Sequence, residues 1–222
     1  MSFVEYDNII YRIERNSAIV HYLNNLFDVN IIIPETIEGK TVISIGPKAF
    51  AKTNIHSIQI PDTVRIINNN AFAECHELKE VEFYKSSAVN KSRAHLIIGS
   101  AAFFKCYNLA KFKTLQNTTF IGESAFKGCT MLSSFEVNVL HAKKESFTDC
   151  VHLESITVVP DGRLWAGSIE KSNLKHLNIW GNVTITASIV NFLRKRNITI
   201  HCEPSSNITE LSYVGINVSY LY

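Results

Sequence analysis

The chain has 222 residues, 46% of them hydrophobic and 19% charged, with a formal net charge of +2. That is ample apolar material for a core, and so mild a charge argues against a nucleic-acid or membrane-surface partner. No run of about 18 apolar residues occurs, so no membrane insertion is expected; the opening Met1-Ser-Phe-Val-Glu-Tyr-Asp7 lacks the basic and apolar regions of a signal peptide, which leaves the cytoplasm as the default location unless another route exports the chain.

In chain order, the first 28 residues stand apart from the rest. Ile9–Ile13 and Ala18–Tyr22 are short apolar runs around Arg15-Asn16-Ser17, the pattern of a β-hairpin. From residue 29 the sequence repeats. Asn30-Ile-Ile-Ile-Pro34 and Ser57-Ile-Gln-Ile-Pro61 end strands on a residue that cannot donate a ladder hydrogen bond. The frame Ala71-Phe72…Cys75…Leu78 returns at Ala102-Phe103…Cys106…Leu109, Ala125-Phe126…Cys129…Leu132 and Ser146-Phe147…Cys150…Leu153, with Ala49-Phe50 opening a copy that lacks the Cys. Phe50, Phe72, Phe103, Phe126 and Phe147 are separated by 22, 31, 23 and 21 residues, a period that signals a solenoid. The N-terminal hairpin is then the cap that covers its open apolar end.

Aligned on the repeat Leu, the strand cores are Ile58-Gln-Ile60, Val81-Glu-Phe83, Phe112-Lys-Thr114, Phe135-Glu-Val137 and Ile156-Thr-Val158, with weaker copies at Leu177-Asn-Ile179 and Ile198-Thr-Ile200. Period two turns each apolar pair inward and the residue between them outward. With the strand at Asn30, this predicts one parallel sheet of eight strands, about 34 Å across. On the return path Ile45, Ile67, Ile98 and Ile121 precede Gly46, Asn68, Gly99 and Gly122, residue types expected to turn the chain with positive φ. The Ala-Phe segment is expected to form a helical or 3₁₀ turn. The cysteines, five in number, read as reduced core thiols, because four of them fall at one repeat position.

The period is broken in two places. About eight extra residues lie within Tyr84–His95, a polar stretch read as a rim loop. After Cys150 the frame decays to Trp165-Ala-Gly-Ser-Ile169. Ala187–Arg196 carries Ile189, Phe192 and Leu193 at helical spacing with Ser188 as N-cap, and Arg194-Lys195-Arg196 suit its C-terminus. Ile208–Tyr222 caps the array in irregular or strand form.

The frame Ile-Pro-x-x-Val-x-x-Ile-x-x-x-Ala-Phe-x-x-Cys-x-x-Leu-x-x-Val/Ile resembles the BspA-type leucine-rich repeat family over residues 29–159, and Glu38-Gly39-Lys40 before Val42 is similar to its opening unit. The resemblance implies an α/β fold: a right-handed leucine-rich-repeat solenoid with a parallel β-sheet on one face, short helical turns on the return path and an N-terminal β-hairpin cap. It would be a single domain, with residues 1–28 as cap, 29–159 as regular repeats, and 160–222 as degenerate repeats and C-terminal cap. It also implies protein binding, often as an adhesin or host-contact module.

Chemistry finds little support. Gly122-Glu-Ser-Ala-Phe126 begins like a nucleophile elbow, but its last residue is Phe and the repeat accounts for Gly122, Ala125 and Phe126. The histidines, eight in all, form no short-spaced pair with Cys or acidic residues of the zinc type. No catalytic residue, cofactor or metal site is expected. The outward row of the sheet is Ser57, Gln59, Glu80, Glu82, Lys111, Lys113, Ser134, Glu136, Ser155, Thr157, His176 and Asn178. The candidate partner-binding residues are all of these but Ser134 and Ser155, joined at the rim loop by Tyr84, Lys85, Lys91 and Arg93. Glu80 and Glu82 should lie beside Lys111 and Lys113, near enough for lateral ion pairs. Such pairs either neutralise themselves or present a charge register to a protein partner. The sequence therefore reads as a non-enzymatic protein-interaction scaffold. The alternatives are a carbohydrate or peptide ligand binder on the same face, or a structural subunit that self-associates through the C-terminal segment with Tyr213, Tyr220 and Tyr222.

Overall fold

The computed structural model describes residues 2–24, 29–87, 95–115, 118–164, 166–169, 171–183, 187–202 and 216–220. They wind into a leucine-rich-repeat solenoid whose coils are joined by three hydrogen-bonded ladders. The first is a five-stranded parallel sheet, in the order Asn30–Ile32, Ser57–Pro61, Glu80–Tyr84, Lys111–Lys113, Ser134–Glu136. Period two buries Ile58, Ile60, Val81, Phe83 and Phe112 and turns their neighbours outward.

The second ladder runs through the stretch expected to be a mere return path. There Lys40–Ile45, Ile66–Ile67, His95–Ile98, Thr118–Ile121 and Asn138–Ala142 pair in parallel. Their Ile, Val and Phe content suits a pleated strand, and Ile45, Ile67, Ile98 and Ile121 point into the core. The repeat thus carries two parallel strands per coil where one was expected.

The predicted single sheet of eight strands is also divided. After Ser134–Glu136 only Val137 intervenes before Asn138–Ala142, which leaves no room for a corner. The next strand, Ser155–Leu164, is continuous but irregular, with a register shift between Val158 and Arg163 and Asp161 at positive φ. It joins the longer sheet, with His176–Ile179, Thr199–Cys202 and Val218–Tyr220 beyond it. Thr157, which repeat counting sets beside Glu136, pairs with Asn138 instead.

The third ladder is the Ala-Phe turn segment. Alternate amides reach the next coil: Phe50 N to Ala71 O at 2.8 Å, Phe72 N to Ala102 O at 2.8 Å, Phe103 N to Ala125 O at 2.7 Å and Phe126 N to Ser146 O at 2.8 Å. The amides between them close i→i−3 turns, such as Ala51 N to Lys48 O and Thr53 N to Phe50 O. Regular helix is confined, among the described residues, to Ala166–Ile169 and Ala187–Arg196.

This segment has two left-handed positions per coil: Lys48, Asn70, Ala101, Ser124 and Glu145, and four residues later Lys52, Glu74, Lys105, Gly128 and Asp149, with φ between 53° and 79°. The expected positions, Gly46, Asn68, Gly99 and Gly122, do not have positive φ. Glycine serves there for a different reason: coils approach so closely that a Cβ on Gly99 would lie 2.6 Å from Asn69 N, and one on Gly122 would lie 2.6 Å from Gly99 C.

Inside the coils, Phe50, Phe72, Phe103, Phe126 and Phe147 stack at centroid spacings of 5.0, 4.9, 5.1 and 5.7 Å, with interplanar angles of 4° to 6°. Phe112 and Phe135 meet this column edge-on. Beside it, Cys75, Cys106, Cys129 and Cys150 each donate a thiol proton to the Phe carbonyl of the preceding coil at 2.8 to 3.1 Å. Thr53 and Ser172 occupy the Cys position of the flanking coils and bond Phe50 O and Ile169 O with their hydroxyls. All five cysteines are free and buried. Burial pushes the Cys150 thiol up to about 12 and raises Cys106 and Cys129 as well, so these are packing groups.

The N-terminal cap has one strand more than expected. Ser2–Tyr6, Ile9–Ile13 and Ser17–Leu23 form an antiparallel meander, and the last pairs in parallel with Lys40–Ile45. Asp7 and Asn8, both at positive φ, make the two-residue turn that the first hairpin requires. At the other end the helix Ala187–Arg196 forms as predicted, burying Ile189 and Leu193, although Ser188 is its second residue and not its cap. Val218–Tyr220 adds the last strand of the longer sheet.

Candidate functional site

Parallel pairing in register sets the outward residues of the five-stranded sheet in two rows. One reads Asn30, Ser57, Glu80, Lys111, Ser134; the other reads Ile32, Gln59, Glu82, Lys113, Glu136. Neighbouring strands lie about 4.8 Å apart, so each lysine reaches carboxylates across a strand. Lys111 Nζ lies 2.6 Å from Glu80 Oε1 and also pairs with Glu82, while Lys113 Nζ lies 2.6 Å from Glu136 Oε2. The expected Glu/Lys adjacency is therefore present with altered partners. One lysine clamps both acids of the preceding strand, which frees Lys113 for the next strand. Hydrogen bonding from Lys111 holds the Glu82 carboxyl below its ordinary range, and the two glutamates raise the Lys111 ammonium in turn. These side chains remain a third to a half exposed, so the network stays open to solvent and to a partner. At its edge Ser57 Oγ donates to Asn30 Oδ1 at 2.8 Å.

The rim beside this face is anchored by polar bonds that periodicity did not reveal. Tyr84 Oη donates to Ile33 O at 2.6 Å, Ser86 N to Asp62 Oδ1 at 2.9 Å and Ser87 N to Glu35 Oε2 at 2.8 Å. Lys85 is exposed between them. Lys91 and Arg93 lie outside the described residues, as do Tyr213 and Tyr222. Glu35 and Asp62 were missed because corner residues vary from coil to coil and carry no repeating signal.

Thr157, His176 and Asn178 are not brought to this sheet. They lie on strands of the longer sheet beyond the point where the shorter one stops. There Asn178 Nδ2 is 3.5 Å from Thr157 Oγ1, and His176 Nδ1 is 3.0 Å from His201 Nε2. His201 was overlooked, yet the apolar-x-apolar rule, continued one residue past Ile200, would have found it.

Ser124 of the elbow-like segment belongs to the turn ladder, 3.5 Å from a carboxylate oxygen of Glu145 that also pairs with Lys127. Among the described residues no group of three or more His, Cys, Asp or Glu is placed to hold a metal. Arg196 is used at the helix end, where it donates to Ser172 O at 2.6 Å and its guanidinium lies 6.0 Å from the Phe192 ring centroid. No helix among the described residues is long and apolar enough to cross a membrane.

The model of the BspA type leucine rich repeat region matches six copies, over residues 43–160 and 88–192. No curated protein matches the chain. Among solved structures it is similar to a leucine-rich repeat protein of T. pallidum, with a TM-score of 0.55 and 20% identity over 82% of this chain and 86% of that one. It is also similar to a leucine rich cell surface protein of Faecalibacterium prausnitzii, with a TM-score of 0.50 and 17% identity over 99% of this chain and 55% of that one. At such identities the likeness is one of fold.

Proposed function

Because the chain belongs to the BspA-type leucine-rich repeat family, we propose that it is a non-enzymatic protein-interaction scaffold that binds its partner with the outer face of the five-stranded sheet and the adjoining rim. The observation that carries this reading is the half-exposed network of Glu80, Glu82, Lys111, Lys113 and Glu136, held in fixed register on a rigid sheet. Charges so fixed add less to raw affinity than to partner choice and orientation. Ser57, Gln59, Tyr84 and Lys85 extend the patch, and Lys91 and Arg93 of the inserted segment would complete it. An adhesin-like or host-contact role is the version of this function in which the scaffold acts outside the cell.

The test is affinity capture from native lysate with mass spectrometry, using the unaltered chain beside two variants. One is Lys111→Glu with Lys113→Glu, and the other lacks the extra residues between Tyr84 and His95. A protein partner recovered by the unaltered chain and lost from both variants supports the reading. Equal recovery by all three would place the interaction elsewhere.

A further inference from the structure

The longer sheet carries an outward row of a different character. Register sets Ile66, Ile97, Phe120, His141 and Arg163 side by side on successive strands. The row grades from apolar to cationic: Ile66 and Ile97 are 37% and 47% exposed, Phe120 meets the His141 ring at 5.1 Å, and Arg163 stands in solvent. Alongside runs a cleft of about 540 Å³. Gly99 and Gly122, which the close approach of the coils requires, are among its lining residues. Lys143 closes the same end as His141 and Arg163.

The electrostatics here differ from those of the polar sheet, where each lysine is neutralised by glutamate. No carboxylate among the described residues lines this cleft. Among the described residues neither Lys143 nor Arg163 has an ion-pair partner, and Glu145, two residues from Lys143, is already paired with Lys127. Desolvation and the Arg163 charge both hold His141 toward its neutral form, which leaves Lys143 and Arg163 as the charged groups lining this end. A concave apolar floor ending in unpaired cations is complementary to a ligand with an apolar group beside negative charge.

We propose that this cleft is a second docking site, which takes a short acidic peptide segment of a partner protein. An apolar side chain would rest on Ile97 and Phe120, and carboxylates would meet Lys143 and Arg163. The site is separate from the polar sheet and does not depend on that face being used.

The test is fluorescence anisotropy with a labelled Glu-Phe-Glu-Glu peptide, compared with Gln-Phe-Gln-Gln and Lys-Phe-Lys-Lys counterparts at low salt. The acidic probe should bind about tenfold tighter than the Gln peptide and weaken as salt is added. Lys143→Glu with Arg163→Glu, both exposed positions, should reverse the preference in favour of the Lys peptide. Ile97→Asn should weaken the acidic probe about fivefold, while Lys111→Glu on the other sheet should leave it unchanged. Equal affinity for the three peptides, indifference to the double reversal, or loss of binding with Lys111→Glu would each overturn the assignment. Circular dichroism confirms that each variant is folded before it is scored.

Discussion

Truncating Phe103 to Ala removes a ring that is wholly buried in the middle of the aromatic column. Phe103 stacks on Phe72 at 4.9 Å and on Phe126 at 5.1 Å, and meets Phe112 edge-on at 5.2 Å. Phe50, equally buried, stacks among the described residues on Phe72 alone. Both truncations lose the transfer and cavity contributions of a buried aromatic, about 3–5 kcal/mol. Each aromatic pair adds about 0.5–1.5 kcal/mol beyond area, so the two additional ring partners of Phe103 should make its loss costlier by about 1–3 kcal/mol. Equilibrium urea denaturation monitored by far-UV circular dichroism reads the difference directly. Against a total stability of about 5–15 kcal/mol, Phe103→Ala should also separate the coils on either side and lower the slope of the transition, as expected where stability resides in nearest-neighbour interfaces. Equal costs for the two truncations with unchanged slopes would refute the view that ring-on-ring contact couples the coils.

The same geometry predicts three further outcomes. The repeat thiols should resist alkylation at pH 8 in the folded protein and react fully in denaturant; because burial raises the folded values of Cys106, Cys129 and Cys150, the last to about 12, the contribution of these three to stability is complete below the unfolded thiol value of about 8.5 and is lost as pH rises above it, which a series of thermal midpoints from pH 7 to 10.5 would record as a fall at the alkaline end. Ala101→Gly, at φ 53°, should leave stability unchanged or raise it by up to about 1 kcal/mol, whereas Ala102→Gly, buried and not left-handed, should cost about 1–2 kcal/mol by urea denaturation; similar costs at both sites would argue against the strain. Gly99→Ala should destabilise by about 1–3 kcal/mol because its Cβ would meet Asn69 N at 2.6 Å, and a neutral result would show that the coils can separate at no cost.

Much of this protein was legible one coil at a time. The Ala-Phe-x-x-Cys-x-x-Leu frame, the apolar-x-apolar strand cores and the helical spacing of Ile189, Phe192 and Leu193 all became what their periods required. The Glu80/Glu82 and Lys111/Lys113 neighbours were readable because parallel pairing in register turns a repeat alignment into a spatial one. What lacked a period was missed: the strand Ser2–Tyr6, the rim anchors Glu35 and Asp62, and the choice by Lys111 of both glutamates.

Local periodicity was enough to dictate that the chain stacks into coils, which residues face inward, and which charges share the polar sheet, because those depend on a short repeat and on period two. Packing between coils was needed to establish that the return path is a second sheet, that the polar sheet ends at Glu136, and that Thr157, His176 and Asn178 belong to the other one. Those outcomes turn on how many residues remain for a corner once two strands and a turn segment must each bond to the next coil. The reason Gly99 and Gly122 are glycines is likewise tertiary, since the atoms they make room for belong to other coils.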